Sequence, residues 1–344
     1  MEIGDLDIDK ELLIIAELSA NHGGSLQNAK EAIKAAKEAG ANAIKLQTFT
    51  PDTITIDCDN EYFTIDNGSI WDGKTLYELY EEAYTPWEWH EELFDLARSE
   101  GLICFSSPFD HNAVDLLEEL DTPAYKIASF EIQDIPLIEY AASKGKPIIM
   151  STGIAEKEDI ELAVQTCRNA GNNQIILLKC TSSYPAPIEL ANLKTMVDMK
   201  ERFDVQVGLS DHTLGDTVPV VATSLGAKVI EKHFILDKSI GGPDADFSLN
   251  PEEFEQMVDS VHKAKKALGD VTYEVDEQVK PNRRFARSLF AVKDIKKGEK
   301  LTKENVRSIR PGYGLHPKFY PKILGLKAKK EIKKGAPLNW DIIR

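Results

Sequence analysis

From Leu12 to Gly269, short apolar runs alternate with longer stretches whose apolar positions recur at helical spacing. The runs are LLIIAELSA (Leu12–Ala20), AIKLQTF (Ala43–Phe49), LICFSSPF (Leu102–Phe109), AYKIAS (Ala124–Ser129), PIIMSTG (Pro147–Gly153) and QIILLKCTSSY (Gln174–Tyr184), followed by VQVGLSDH and VIEKHF. Segments such as LQNAKEAIKAAKEAG (Leu26–Gly40) lie between them, and their period and closing glycine predict helices. Continuous apolar strands alternating with helices indicate a parallel sheet covered by helices. Eight such units over this length predict a (β/α)8 TIM barrel, α/β in class, with its chemistry at the C-terminal strand ends. A doubly wound open sheet is the alternative, but no GxGxxG turn follows any strand. One long stretch, Thr50 to about Thr85, breaks the alternation and reads as an irregular lid.

The pattern changes after residue 269. Residues 1–269 read as the barrel, 270–286 as a polar linker containing Pro281, and 287–344 as a small second domain. The tail carries a weak repeat, KDIKKGEKLTKENV (Lys293–Val306) and KEIKKGAPLNWDII (Lys330–Ile343). Each copy predicts a short strand, a KKG turn and a helix start, so the pair suggests a pseudo-symmetric module. RPGYGLHPKFY (Arg310–Tyr320) is the Gly/Pro-punctuated loop between them.

Composition narrows the possible functions. The 344 residues are 42% hydrophobic, enough for a large core and a smaller one. No apolar run is long enough for a membrane span, and the acidic start MEIGDLDIDK lacks a signal peptide's regions. The expectation is a soluble cytoplasmic protein. None of the 4 cysteines forms a CxxC pair, and Cys104 and Cys180 read as buried free thiols. A net charge of -16 argues against nucleic acid as partner. The charge is divided unevenly: from Val279 onward there are 19 Lys+Arg and 5 Asp+Glu, net +14, which leaves net -30 before it. Such a tail is either a solvated basic module or one that docks on an acidic barrel, its own or a partner's.

All eight predicted strand ends carry polar residues of chemically useful types. They include Glu17, Lys45 and Gln47, Ser107, Lys126 and Ser129, Ser151, Ser182 and Tyr184, Ser210 with His212, and His233. Two lysines among several hydroxyls make a site for phosphate or carboxylate, while a Schiff-base lysine is the competing reading. Two histidines at one rim, near oxygen-rich partners, suit an exchangeable Mn²⁺ or Mg²⁺ that would polarise an aldehyde. Glu17 can orient or deprotonate a water. Glu231 reads either as a substrate contact or as a paired structural group.

These residues in this order resemble the sialic acid synthase family, whose members condense phosphoenolpyruvate with an aldose. IIAELSANHGG, KLQTF, FSSPF, YKIAS, STG, KCTSSYPAP, GLSDHT, VIEKHF and GGPDADFS (Gly241–Ser248) carry the resemblance, which covers nearly the whole chain. The tail resembles that family's antifreeze-like (SAF) domain, read here as a substrate lid because a Lys-rich surface suits ice poorly. ELSANH (Glu17–His22), SIWDGKTLYELYE (Ser69–Glu81) and RPGYGLHPKFY are similar to the branch that makes pseudaminic acid. The resemblance implies phosphoenolpyruvate contacts from Lys45, Ser107, Lys126, Ser129, Ser151, Ser182 and Ser210. It implies metal ligation by His212 and His233, and sugar-side roles for Glu17, Gln47, Tyr184 and Asp244. Arg310 matches an arginine that reaches the sugar of the partner subunit in a domain-swapped homodimer. Ser182 departs from the asparagine usual in N-acetylneuraminate synthases.

Rival readings remain. The same chemistry on N-acetylmannosamine or the legionaminic acid precursor is the nearest. A Schiff-base aldolase using Lys45 or Lys126 is a second class. A dead barrel presenting its tail as a carbohydrate-binding module is the non-enzymatic one, disfavoured by the intact Glu17, Lys45, His212 and His233 set.

Overall fold

The computed structural model describes residues 1–66, 68 and 71–344, which divide into two compact units, Met1–Gly269 and Asp270–Arg344. Ser69 and Ile70, the start of the SIWDGKTLYELYE segment, lie outside the described residues. In the first unit eight parallel strands close into a barrel, each next to its sequence neighbour. They are β1 (Leu13–Glu17), β2 (Ala43–Thr48), β3 (Ile103–Pro108), β4 (Tyr125–Ile127), β5 (Ile148–Ser151), β6 (Ile175–Cys180), β7 (Gln206–Asp211) and β8 (Val229–His233). β8 pairs with β1 to close the ring, with His233 opposite Glu17, and Glu17 is opposite Lys45 on β2. This is the TIM barrel that the alternation predicts.

Side chains alternate along each strand, so every strand feeds two cores. Leu13, Ile15, Ala43, Phe105, Ala124, Ile149, Ile176, Leu178 and Val229 point inward and fill the barrel floor. Ile3, Leu6 and Ile8, from a small N-terminal hairpin (Glu2–Ile3 with Leu6–Asp7), complete that cluster. Ile14, Ala16, Ile44, Leu46 and Ile230 point outward into the helix layer. Gly208 on β7 faces inward, where a Cβ would lie 2.4 Å from Val229 O and 2.7 Å from Leu178 Cδ2. Only glycine fits there without moving a strand.

The helices form where amphipathic spacing coincides with a start signal. Pro251–Leu268 is capped by Asn250, whose side chain accepts from Glu253 N, and buries Phe254, Met257, Val258 and Val261. That i, i+3, i+4, i+7 stripe faces the barrel, and replacing Phe254 by alanine would cost about 3–5 kcal/mol. Among the described residues no helix is long and apolar enough to cross a membrane.

The stretch after β2 is more ordered than its composition suggests. It holds a short helix at Pro51–Ile54 and a second at Leu76–Ala83. Thr75 and Glu78 form a reciprocal capping box for the second, with Glu78 N donating to Thr75 Oγ1 at 3.1 Å and Thr75 N to Glu78 Oε2 at 2.9 Å. The Thr-x-x-Glu spacing was legible in the sequence, so the expectation of an irregular segment is corrected.

In the second unit, Ser288–Ala291 pairs antiparallel with Val306–Ile309. The two repeat copies meet at equivalent positions: Ile295 N donates to Ile332 O at 2.8 Å and Ile332 N to Ile295 O at 2.9 Å. Leu301 N donates to Leu326 O at 2.8 Å, and Leu338 N to Leu289 O at 2.9 Å. Leu289, Ile295, Leu301, Ile332 and Leu338 form one core. Where each copy was expected to start a helix, the chain makes only a turn, at 303–305 and 340–342. In the first copy Asn305 Oδ1 accepts from Thr302 N at 2.8 Å, a local bond that competes with helix formation.

Candidate active site

Residues at the C-terminal strand ends and in the following loops line an open cavity of about 190 Å³ in the first unit. Its polar wall includes Glu17, Lys45, Gln47, Lys126, Ser129, Ser151, Tyr184, Ser210, His212, Glu231, His233 and Asp244. The inward parity that fills the floor with Leu13, Ala43, Ala124 and Val229 brings Glu17, Lys45, Lys126, Glu231 and His233 inward at the mouth.

The centre of this wall is an ionic network. Lys45 Nζ is paired with Glu17 Oε2 and lies 3.9 Å from Glu231 Oε1. Lys126 Nζ lies 3.5 Å from the same Glu231 oxygen, which also accepts from Ser210 Oγ at 3.1 Å. Burial and the Glu231 charge push the Glu17 carboxyl up to about 7, against the pull of Lys45. Burial also acts on Glu231, but Lys126 and Lys45 overcome it and hold that carboxyl below its usual range. Burial lowers the Lys126 ammonium. Burial likewise opposes the charge on Lys45, but Glu17 and Glu231 hold that ammonium above its usual value. Glu231, left between two roles by the sequence, thus bridges the two lysines.

The histidines sit opposite, with ring centroids 5.2 Å apart. His212 Nδ1 donates to Thr181 O at 3.0 Å, which leaves Nε2 to carry the lone pair when the ring is neutral; burial opposes its charge, but the neighbouring Cys180 holds it above its usual value. His233 Nδ1 is buried with no hydrogen-bond partner among the described residues and lies 3.7 Å from Asp244 Oδ2. Burial and the neighbouring His212 keep His233 well below its usual value, hence neutral. Tyr184 packs on His212 at 4.6 Å between centroids and on Trp71 at 5.4 Å. Gln47 Nε2 donates to Glu17 Oε1 at 3.0 Å and to Ser19 Oγ at 2.9 Å, which ties the sugar-side candidates together.

Three predicted residues stand apart from the lining. Ser107 is buried and accepts from Lys45 Nζ at 3.3 Å. Ser182 is half-buried, with its Oγ 4.0 Å from Cys180 Sγ. Arg310 is an exposed residue of the second unit.

Sequence reasoning missed Glu131, which lines the cavity, and the contacts of Cys180, which lies behind it. Glu131 follows β4 and has a buried Oε2 with no hydrogen-bond partner among the described residues. Burial pushes its carboxyl up to about 7, against the pull of Lys126. Cys180, read only as a buried thiol, lies 3.9 Å from His212 Nδ1 and 3.4 Å from Ser129 Oγ. Burial would raise it, but His212, Ser129 and Lys126 bring it down to about 7. Inward parity on β6 was the available signal for Cys180. Nothing local in the sequence marked Glu131, which lies in a 3-10 turn.

The closed barrel and its ionic mouth define a TIM-barrel enzyme with a small appended module. The chain belongs to the NeuB family, whose model matches residues 32–273, and residues 286–344 match the SAF domain. Enzymes of this family are in general metal-dependent. The chain is 54% identical over 339 residues to a pseudaminic acid synthase of Campylobacter jejuni, covering 98% of each chain. It is 52% identical over 331 residues to a pseudaminic acid synthase of Helicobacter pylori, covering 96% of this chain and 97% of that one. A crystal structure of an N-acetylneuraminic acid (sialic acid) synthetase from Leptospira borgpetersenii in complex with citrate is 30% identical, with a TM-score of 0.73. That match covers 82% of this chain and 94% of the other.

Proposed function

We propose that the chain condenses phosphoenolpyruvate with 2,4-diacetamido-2,4,6-trideoxy-L-altrose and water, giving pseudaminic acid and phosphate. One observation carries the reaction class: Lys45 and Lys126, bridged by Glu231, share a cavity with the His212–His233 pair. An anion site beside an electrophile site is what carbon–carbon bond formation from an enol phosphate requires. The choice of sugar is supported by the 54% and 52% identities over almost the full length.

The unpartnered, neutral His233 and the Nε2 lone pair of His212 fit a divalent cation. These two residues would hold Mn²⁺ or Mg²⁺, which when bound supplies Lewis-acid polarisation of the aldehyde oxygen. Lys45 and Lys126, with Ser129, Ser151 and Ser210, hold the phosphate and carboxylate, and Ser107 steadies Lys45 from behind. Ser182, whose Oγ borders Gly153 beside Ser129, is assigned to the same anion. Gln47, Tyr184 and Asp244 orient the sugar so that carbon three of phosphoenolpyruvate can attack the aldehyde carbon. Glu17, with its carboxyl near 7, takes the proton of the water that adds at carbon two. Phosphate then leaves with the electrons of its C–O bond, and the keto group forms.

The reading extends to a homodimer in which Arg310 of one copy reaches the sugar held by the other. Phosphate release with the diacetamido-altrose, N-acetylmannosamine and the legionaminic precursor tests the assignment. Turnover of the first should exceed the others by at least about tenfold in kcat/KM, and equal or reversed preference overturns it.

A further inference from the structure

The cavity has a second wall of opposite character. Phe49, Ile54, Leu79, Tyr80, Ala83 and Phe109 line it. Leu79, Tyr80 and Ala83 share one face of the helix Leu76–Ala83, while Glu78, Glu81 and Glu82 on the other face are exposed. An amphipathic helix ordinarily spends its apolar face on a core. Here the face is spent on a cavity: Ile54, Leu79 and Phe109 belong to none of the hydrophobic clusters of the unit. Phe49 stiffens the wall, packing edge-on against Phe109 at 5.1 Å and Tyr80 at 5.7 Å between centroids. Trp71 lines the same cavity, and its Nε1–H donates to Pro243 O at 3.2 Å.

Phosphoenolpyruvate is anionic and matches the lysine–serine wall. It offers no alkyl group that would use six apolar and aromatic residues. The other substrate must therefore present apolar substituents on the side facing the lid. We infer that the lid wall of Ile54, Leu79 and Phe109 is the specificity-determining surface for the acceptor sugar, seating its deoxy methyl group at carbon six and excluding a hydroxyl at that carbon. This rests on the proposed function, because it takes the acceptor to be a 6-deoxy sugar. The physical warrant is asymmetric. A methyl on this wall is removed from water at no polar cost, whereas a hydroxyl there would lose its water without gaining a partner.

The test compares two acceptors that differ only at carbon six, methyl against hydroxymethyl, with phosphoenolpyruvate saturating. The wild-type enzyme should prefer the deoxy sugar by roughly ten- to a hundredfold in kcat/KM. Ile54→Thr, which places a hydroxyl on the wall, and Leu79→Asn, close to isosteric with an amide in place of the branched methyls, should each narrow that ratio by about fivefold or more. The change should fall on KM for the sugar, with KM for phosphoenolpyruvate unchanged. Equal losses on both sugars in the folded variants, leaving the ratio as in wild type, overturn the lid assignment alone. No turnover of the deoxy sugar by wild type overturns the proposed function and this inference together. Either variant suffices if the other fails to fold.

Discussion

Lys232 Nζ lies 2.5 Å from Asp211 Oδ2, and each of these residues immediately precedes one of the two site histidines. Strand alternation turns His212 and His233 toward the mouth and their predecessors outward, where the two meet. The ammonium also donates to Thr213 O and, at 3.1 Å, to Gly215 O, so it ties down the loop after β7. Lys232→Met would leave Asp211 buried and uncompensated. Urea denaturation should show a loss of about 3–5 kcal/mol, and Lys232→Met/Asp211→Leu should recover part of it. A double variant no more stable than the single one would show that the pair is not what holds the loop.

Removal of the cation should abolish turnover, and Mn²⁺ or Mg²⁺ should restore it. His233→Ala should reduce kcat by about a hundredfold or more, since several kcal/mol of charge stabilisation is at stake. Cation affinity measured by calorimetry should fall in parallel. Unchanged affinity would reassign His233.

Gly153 stands where a Cβ would come within 2.0 Å of Ser182 Oγ, 2.7 Å of Ser129 Oγ and 3.0 Å of Cys180 Sγ. Its N–H donates to Ser129 Oγ at 3.1 Å. Gly153→Ala must displace the serines assigned to the anion. Steady-state kinetics should show KM for phosphoenolpyruvate rising about tenfold or more, with KM for the sugar much less affected. Comparable rises in both would place these serines outside the anion site.

Glu131 makes stability pH-dependent in a defined direction. Its folded-state carboxyl is raised to about 7 from 4.5, so between these values the folded state binds more protons than the unfolded one. Stability contributed through this group therefore falls as pH rises from 4.5 to 7 and is level above. Glu131→Gln should be more stable than wild type at pH 8 by about 1–3 kcal/mol, and the difference should vanish near pH 4. A difference independent of pH would refute the assignment.

The order of bond cleavage is open to isotopes. With oxygen-18 in the bulk water, label should enter the product at carbon two and be absent from the released phosphate. Labelled phosphate would indicate P–O cleavage instead.

The barrel was legible because its signal is repetitive: LLIIAE, AIKLQT and VIEKH each encode a two-faced buried strand, and the helices between them carry their own stops. Glu17, Lys45, Lys126 and the histidines were legible as polar residues ending apolar runs. The pairing of Glu231 with both lysines was not, since it depends on how β8 meets β2 and β4 across the interior. The capped helix at Leu76–Ala83 was hidden by the Gly- and Asp-rich segment around it, although Thr75 and Glu78 announced it. The apolar wall came from scattered positions, Phe49, Ile54, Leu79 and Phe109, which only the folded lid assembles.

The reciprocal bonding of the two tail repeats has a consequence for how that module comes apart. Ile295 and Ile332 bond each other reciprocally, and Leu289, Ile295, Leu301, Ile332 and Leu338 share one core, so opening one copy uncovers the other. Half of the module is not a smaller stable object. Amide protons of both copies should exchange in a single concerted event, so that damage to one KKG turn is felt equally in the other.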